Sequence, residues 1–162
     1  MGSNLGNREQ SILEAVRRLE DAGVPVVAVS SLYETEPAEG AQGNRFINAV
    51  VKVRPLLYPG DLLKRLKTIE RTMGRTSGHN QPREIDIDIV SYGDTILEAA
   101  DLTIPHPRFG KRAFVLLPLQ EIAPDFCCPL TGRRLGQLKE LLREDHAVSR
   151  VSGRSIIATT SP

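Results

Sequence analysis

Pro82-Arg83-Glu84-Ile85-Asp86-Ile87-Asp88-Ile89-Val90 alternates strictly, with Ile85, Ile87 and Ile89 on one face and Asp86 and Asp88 on the other. Period-two alternation rich in β-branched residues predicts a half-buried strand. Residues two apart on a strand point the same way and stand about 6.5–7 Å apart. Two carboxylates that close repel unless protons or cations separate them. Hard divalent ions held by one or two carboxylates plus substrate phosphates are the usual partners of such a pair. Arg83, just upstream, is placed to meet an anionic ligand on those ions. A strand with a wet acidic face explains the same pattern without any ligand, so the surroundings must decide.

Immediately upstream, Gly74 to Pro82 forms a flexible connection with Arg75 near one end and Arg83 just past the other. Two arginines flanking one loop, the second entering a D-x-D strand, suit a polyphosphate clamp. Pro59 to Met73 predicts a helix, with Pro59 in its first turn and Gly74 as its stop. Leu62, Leu63, Leu66, Ile69 and Met73 make its core stripe. Earlier still, Val24 to Tyr33 and Arg45 to Val53 have strand composition, the first despite Pro25. The loop joining them, Glu34 to Asn44, has the length of a functional connection. Asn48 interrupts the second strand; its amide is either bonded locally or free to read a ligand's hydrogen-bonding edge. A first helix is predicted from Asn7 as N-cap, Gln10 at the capping-box position and Gly23 as stop, burying Ile12, Leu13, Val16 and Leu19. Gly2 to Asn7 reads as a glycine-rich turn; without the Walker lysine spacing, plain turn geometry suffices.

Downstream, Ser91-Tyr92-Gly93-Asp94 turns the chain. Leu102 to Arg112 is loop-like and basic, and His106 stands among Arg108, Lys111 and Arg112 as if facing an anion. Ala113 to Leu119 is an apolar segment ended by Pro118 and then Pro124, and Leu135 to Leu142 a short amphipathic helix. From Arg143 the chain is polar without a period, so 146–162 is expected to be a loosely held tail behind one domain spanning 1–145. The order helix, strand, strand, helix, strand becomes a ferredoxin-like βαββαβ, an α+β antiparallel sheet with helices packed on it, once a strand precedes Gly2. That first strand is expected to be missing from this chain.

With 162 residues the chain fits one domain with a core of ordinary size. Twenty-one basic against 20 acidic residues give no field that argues for nucleic acid or a membrane surface. No apolar run approaches the ~18 residues of a membrane span, and no signal pattern opens the chain. Cys127 and Cys128 are adjacent, which disfavours a disulfide between them. A cytoplasmic monomer acting on small molecules is expected.

The motifs together resemble the 6-hydroxymethyl-7,8-dihydropterin pyrophosphokinase family of folate biosynthesis. The resemblance rests on Gly2-Ser3-Asn4-Leu5-Gly6, Ser30-Ser31-Leu32-Tyr33-Glu34-Thr35 with Pro37, and Phe46-Ile47-Asn48-Ala49. It continues through Ile69-Glu70, Gly74-Arg75, Pro82-Arg83 with Asp86 and Asp88, Ile104 to Arg108, and Arg112 to Leu116. It spans about residues 2 to 140. It implies transfer of pyrophosphate from ATP to a pterin alcohol, with AMP as the second product. By the same resemblance Asp86 and Asp88 would hold two Mg²⁺ ions, and Arg75 and Arg83 would close on the polyphosphate. Glu70, Arg83, Ile89, Thr103, His106 and Arg112 would line the ATP site. Phe46 and Phe114 would sandwich the pterin, while Asn48 and the chain near Thr35 and Pro37 would read its edge. The family's loop ahead of the second arginine usually carries a tryptophan, and this chain has none. A binding module without turnover, a D-x-D phosphohydrolase and a structural domain are the competing readings. The last leaves the paired arginines and the basic cluster around His106 without a role.

Overall fold

Asn7 starts the first helix as expected: its side-chain oxygen accepts from the Gln10 backbone N–H at 3.2 Å. Gly23, at φ +73°, carries the chain out of it. The computed structural model describes residues 1–36, 44–74, 82–142 and 148–151. Helix α1 (Arg8–Asp21) buries Ile12, Ala15, Val16 and Leu19, with Leu13 only half-buried. Helix α2 (Pro59–Thr72) buries Leu62, Leu66, Ile69 and Glu70, while Leu63 and Met73 pack partly buried against the same core. Both helices cover an antiparallel sheet whose inward side chains, among them Val26, Val29 and Ile47, complete that core.

Gly2–Ser3 forms β1, which corrects the expectation that a first strand is missing. It pairs with β4 (Phe46–Asn48) through Gly2↔Asn48 and Ser3↔Ile47. On its other edge the Gly2 N–H donates to the Asp86 carbonyl at 2.9 Å, and the Asp86 N–H returns to the Gly2 carbonyl at 2.8 Å. Backbone partners on both sides hold these residues extended, so tertiary pairing outweighs the turn-like composition. The turn is shorter than expected and begins after Ser3.

The two long strands expected from composition are each broken in two. Val24 to Tyr33 yields β2 (Val26–Val29) and the start of β3 (Tyr33–Thr35); Arg45 to Val53 yields β4 and β5 (Val51–Val53). β2 pairs with β5 and β3 with β4, so the four pieces are two halves of one antiparallel pair. Ser30 sits at the break, where its hydroxyl accepts from the Val50 N–H at 3.0 Å and donates to the Ser31 carbonyl at 2.8 Å. The side chain thus takes one ladder donor, while the Ser30 N–H still donates to the Val50 carbonyl at 3.0 Å.

The Asp86–Asp88 stretch is corrected too: it is extended but not a laddered strand, and its single bridge joins Asp86 to Gly2. The alternation survives, for Ile85, Ile87 and Ile89 are all buried in the main core. Beyond Asp86 the Ile87 N–H goes to a carboxylate of α2 instead of a neighbouring strand. From Ile87 to Gly93 the chain faces Val50 to Arg54 across an apolar cleft of about 470 Å³.

A short hairpin of β6 (Leu97–Glu98) and β7 (Thr103–Ile104) follows, in a stretch read only as turn and loop. A 3-10 turn at Phe109–Lys111 leads into helix α3 (Ala113–Ile122). That helix runs through Pro118, where the sequence suggested a stop. Burial of Val115, Leu116, Pro118 and Leu119 against Phe109 and helix α4 (Leu135–Glu140) offsets the missing N–H. Phe109 and Phe126 meet edge to face, with ring centroids 5.9 Å apart. Val148–Arg150 forms β8 on the open edge of β3, so residues read as tail are paired backbone. Among the described residues no helix is long and apolar enough to cross a membrane, and both cysteines are free thiols.

Candidate active site

Arg83 is the junction of the site. Its backbone N–H donates to Asn4 Oδ1 at 2.9 Å, and its carbonyl accepts from the Asn4 N–H at 3.2 Å. Asn4, a buried residue that sequence reasoning gave no role of its own, therefore fixes how the chain enters the acidic stretch. The Arg83 guanidinium bonds Asp86 at 3.1 Å and lies over the Phe46 ring, 5.8 Å from its centroid. Its Nε is buried without a hydrogen-bond partner among the described residues. Buried polar groups are nearly always hydrogen-bonded, so this donor is free to take an acceptor.

Asp88 points out of the sheet on the side of Asp86 and is exposed. With His106, Phe109, Arg112 and Phe114 it lines a small pocket of about 40 Å³. The His106 backbone N–H donates to the Val90 carbonyl at 2.9 Å, and its ring Nδ1 accepts from the Arg108 N–H at 3.1 Å. Burial pushes the His106 pKa below its ordinary value; Arg112 and Arg108 push the same way, against the opposing charge of Asp88. Burial likewise lowers Arg112, whose neighbour Arg108 adds to the effect while Asp88 and Asp86 oppose it. Crowded cations beside two carboxylates suit an anion that carries its own metal. The Arg112 guanidinium also lies over the Phe114 ring, 5.5 Å from its centroid.

Among the described residues no group of three or more His, Cys, Asp or Glu is arranged as a metal cage. Two carboxylates on one face with basic groups around them fit a hard ion that takes water and phosphate oxygens for its other positions.

On the far side of Arg83, Asn48 Nδ2 donates to Thr35 Oγ1 at 2.9 Å, both residues being buried. Gly2 packs against this pair: a Cβ built there would stand 2.8 Å from Asn48 Oδ1 and 3.6 Å from Phe46. Gly2→Ala is therefore expected to displace the Asn48 amide and weaken whatever it binds by roughly 10-fold or more. Titration calorimetry with a pterin and, separately, with a nucleotide measures the loss for each.

Glu70, assigned by sequence to the nucleotide site, lies behind the acidic stretch. It is 1 % exposed, and its Oε1 accepts from the Ile87 N–H at 2.7 Å and from Lys67 Nζ at 3.0 Å. It thereby anchors the backbone between the two aspartates. Glu70→Ala strands the Ile87 N–H and is expected to cost roughly 1–3 kcal/mol in urea unfolding. Ile89 is a core residue, and Thr103 sits on β7 opposite Glu98, three residues ahead of His106. Arg75 and Pro37 lie outside the described residues. The structure thus brings Phe46, Arg83 and Asp86 together, and Asp88, His106, Arg112 and Phe114 together, with Asn48 and Thr35 beside Phe46.

The family model for 7,8-dihydro-6-hydroxymethylpterin-pyrophosphokinase matches residues 1–124. The chain is 36% identical over 140 residues to the 2-amino-4-hydroxy-6-hydroxymethyldihydropteridine pyrophosphokinase of Aquifex aeolicus, covering 86% of this chain and 87% of that one. It is 41% identical over 142 residues to the protein of the same name from Synechocystis, covering 86% and 72%. It is also 41% identical over 152 residues to the folic acid synthesis protein fol1 of Pneumocystis carinii. There the match takes in 93% of this chain but spans only 20% of the relative's length.

Proposed function

This chain belongs to the 7,8-dihydro-6-hydroxymethylpterin-pyrophosphokinase family, and from that premise we propose that it transfers pyrophosphate from ATP to 6-hydroxymethyl-7,8-dihydropterin in folate biosynthesis. The observation that carries the reading is Arg83. One guanidinium touches the carboxylate of the acidic stretch and the ring beside the Asn48–Thr35 pair, joining a phosphate half to an aromatic half.

Asp86 and Asp88 would hold two Mg²⁺ ions, which when bound neutralise the triphosphate and steady the attacking and leaving oxygens. Arg83, His106 and Arg112 bind the polyphosphate, and Arg75 is assigned to it with them. Glu70 works through the Ile87 backbone, Ile89 supplies an apolar wall for the nucleotide, and Thr103 lies at its margin. Phe46 and Phe114 take the two faces of the pterin, while Asn48, Thr35 and Pro37 read its edge. The hydroxymethyl oxygen attacks the β-phosphorus as the bond from that phosphorus to the α,β-bridging oxygen breaks. AMP leaves with the bridging oxygen, and the alcohol proton is released. Positioning and charge neutralisation carry such a reaction, so an acidic stretch held by its backbone bonds, with cationic side chains around it, is a sufficient apparatus.

The strand order supports a ferredoxin-like sheet: the acidic stretch beside β1, then the strand of β4 and β5, then that of β2 and β3, with α1 and α2 as its crossovers. The transferase domain is placed at 1–145, and from the segment that follows, β8 completes the edge of its sheet beside β3. A cytoplasmic protein that works as a monomer completes the proposal.

The test is release of AMP from ATP with pterin and Mg²⁺ each present or omitted. AMP formed only with both supports the reading. A folded protein that makes none, or that makes AMP without pterin, overturns it.

A further inference from the structure

Glu121 lies near the C-terminal end of α3, and nothing in the proposed chemistry uses it. Its carboxylate nevertheless gathers three elements. Oε2 accepts from the Ser31 N–H at 2.6 Å, and Oε1 accepts from the Tyr33 hydroxyl at 2.7 Å. Arg150 of β8 forms an ion pair with Glu121, its Nε 3.5 Å from Oε1, and donates a hydrogen bond to Ser31 Oγ. Arg150 is itself the register partner of Tyr33, and the Val151 N–H donates to the Leu32 carbonyl at 2.9 Å. Burial would raise the Glu121 pKa, yet the bonds from Ser31 and Tyr33 and the charge of Arg150 leave it lowered. Burial, then the Glu121 bond, pushes the Tyr33 hydroxyl up to about 12. The cluster is therefore formed at neutral pH with Glu121 charged and Tyr33 protonated.

The elements it joins carry opposite walls of the pterin site. α3 begins beside Arg112 and carries Phe114 in its first turn; β3 ends on Thr35, which is bonded to Asn48. From Glu121 to Phe114 is seven helical residues, about 10 Å. From Tyr33 to Thr35 is two strand residues, about 7 Å. A ring sandwiched between Phe114 and the Phe46–Asn48 strand tolerates little change in that spacing. We infer that Glu121 is a positioning residue, fixing α3 against β3 and β8 so that Phe114 faces the Thr35–Asn48 pair at the width of a pterin. The inference rests on the proposed function, and it sets Tyr33 and Arg150 as partners of Glu121 in that role.

The test compares Glu121→Ala, Glu121→Gln and Tyr33→Phe with the unmodified chain. It reads kcat, KM for each substrate, and the urea midpoint. Glu121→Ala is expected to raise KM for the pterin roughly 10-fold or more, with KM for ATP within about twofold. Glu121→Gln keeps the acceptor for Ser31 and restores part of the loss, and Tyr33→Phe moves the same constant by less. The glutamine variant should also lose part of the acid limb of stability: a lowered carboxylate stabilises above its unfolded pKa and ceases to as pH falls through the folded one. If Glu121→Ala does not fold, Tyr33→Phe, which removes one oxygen, decides the matter by the same KM comparison. Equal rises in both KM values, or a lowered urea midpoint with pterin KM unchanged, make Glu121 merely structural and overturn the inference. No AMP from the unmodified chain sinks the functional reading instead, so the two failures are distinct.

Discussion

Asp88→Asn should leave the protein folded and reduce kcat for AMP formation by roughly 10³-fold or more, the loss of several kcal/mol of charge stabilisation in the transition state. The contrast with Asp86 explains why Asp88 is the cleaner probe. The Asp86 carboxylate is paired with Arg83, so replacing it disturbs the arginine as well as any metal site. The Asp88 side chain is exposed, and the asparagine keeps its size. Its charge acts at longer range on His106 and Arg112, opposing the effects that lower them. A folded Asp88→Asn variant must therefore show its defect in turnover and in the Mg²⁺ concentration needed for it. Measurement at rising Mg²⁺ separates a weakened site from an abolished one. A kcat within tenfold of the unmodified chain at ordinary Mg²⁺ removes Asp88 from the metal site.

Arg83→Ala has the second large effect, expected at about 10²–10³-fold in kcat, as for loss of one donor aimed at developing charge. It removes the bond to Asp86, the buried unpaired Nε and the cation over Phe46 at once. The pterin KM should also rise by a few-fold, because a cation stacked on an aromatic ring contributes about 0.5–2 kcal/mol. Arg83→Lys separates the two roles. Lysine keeps the charge but lacks the planar fork, so it should restore the Asp86 pairing better than the rate. Single-turnover kinetics with saturating ATP distinguishes the chemical step from pterin binding. A lysine variant as fast as the arginine would mean that point charge alone is needed there.

The local signals in the sequence were read correctly where the physics is local. The Ile85–Ile87–Ile89 alternation buries those three side chains whether or not a ladder forms, because burial depends on which face is apolar and not on which strand lies alongside. The Asn7 cap and the glycine turn after α1 need only their own neighbours. Pairing is different, since backbone donors and acceptors are nearly the same at every residue. Nothing in Gly2–Ser3 announces a strand until Asn48 and Asp86 stand on its two sides, and nothing in Val148–Arg150 announces one until β3 offers an open edge.

The family was equally legible, for the motifs around the two carboxylates and the arginines stand in the sequence in order. Their division of labour was not. Glu70 faces inward and holds the Ile87 backbone, while Glu121, which no motif marks, ties α3 to β3. Sequence determined which charges and rings this protein owns and which faces it buries. Only the tertiary structure decided which of them meet, because a hydrogen bond between distant segments depends on where the intervening chain brings them, and no local period encodes that.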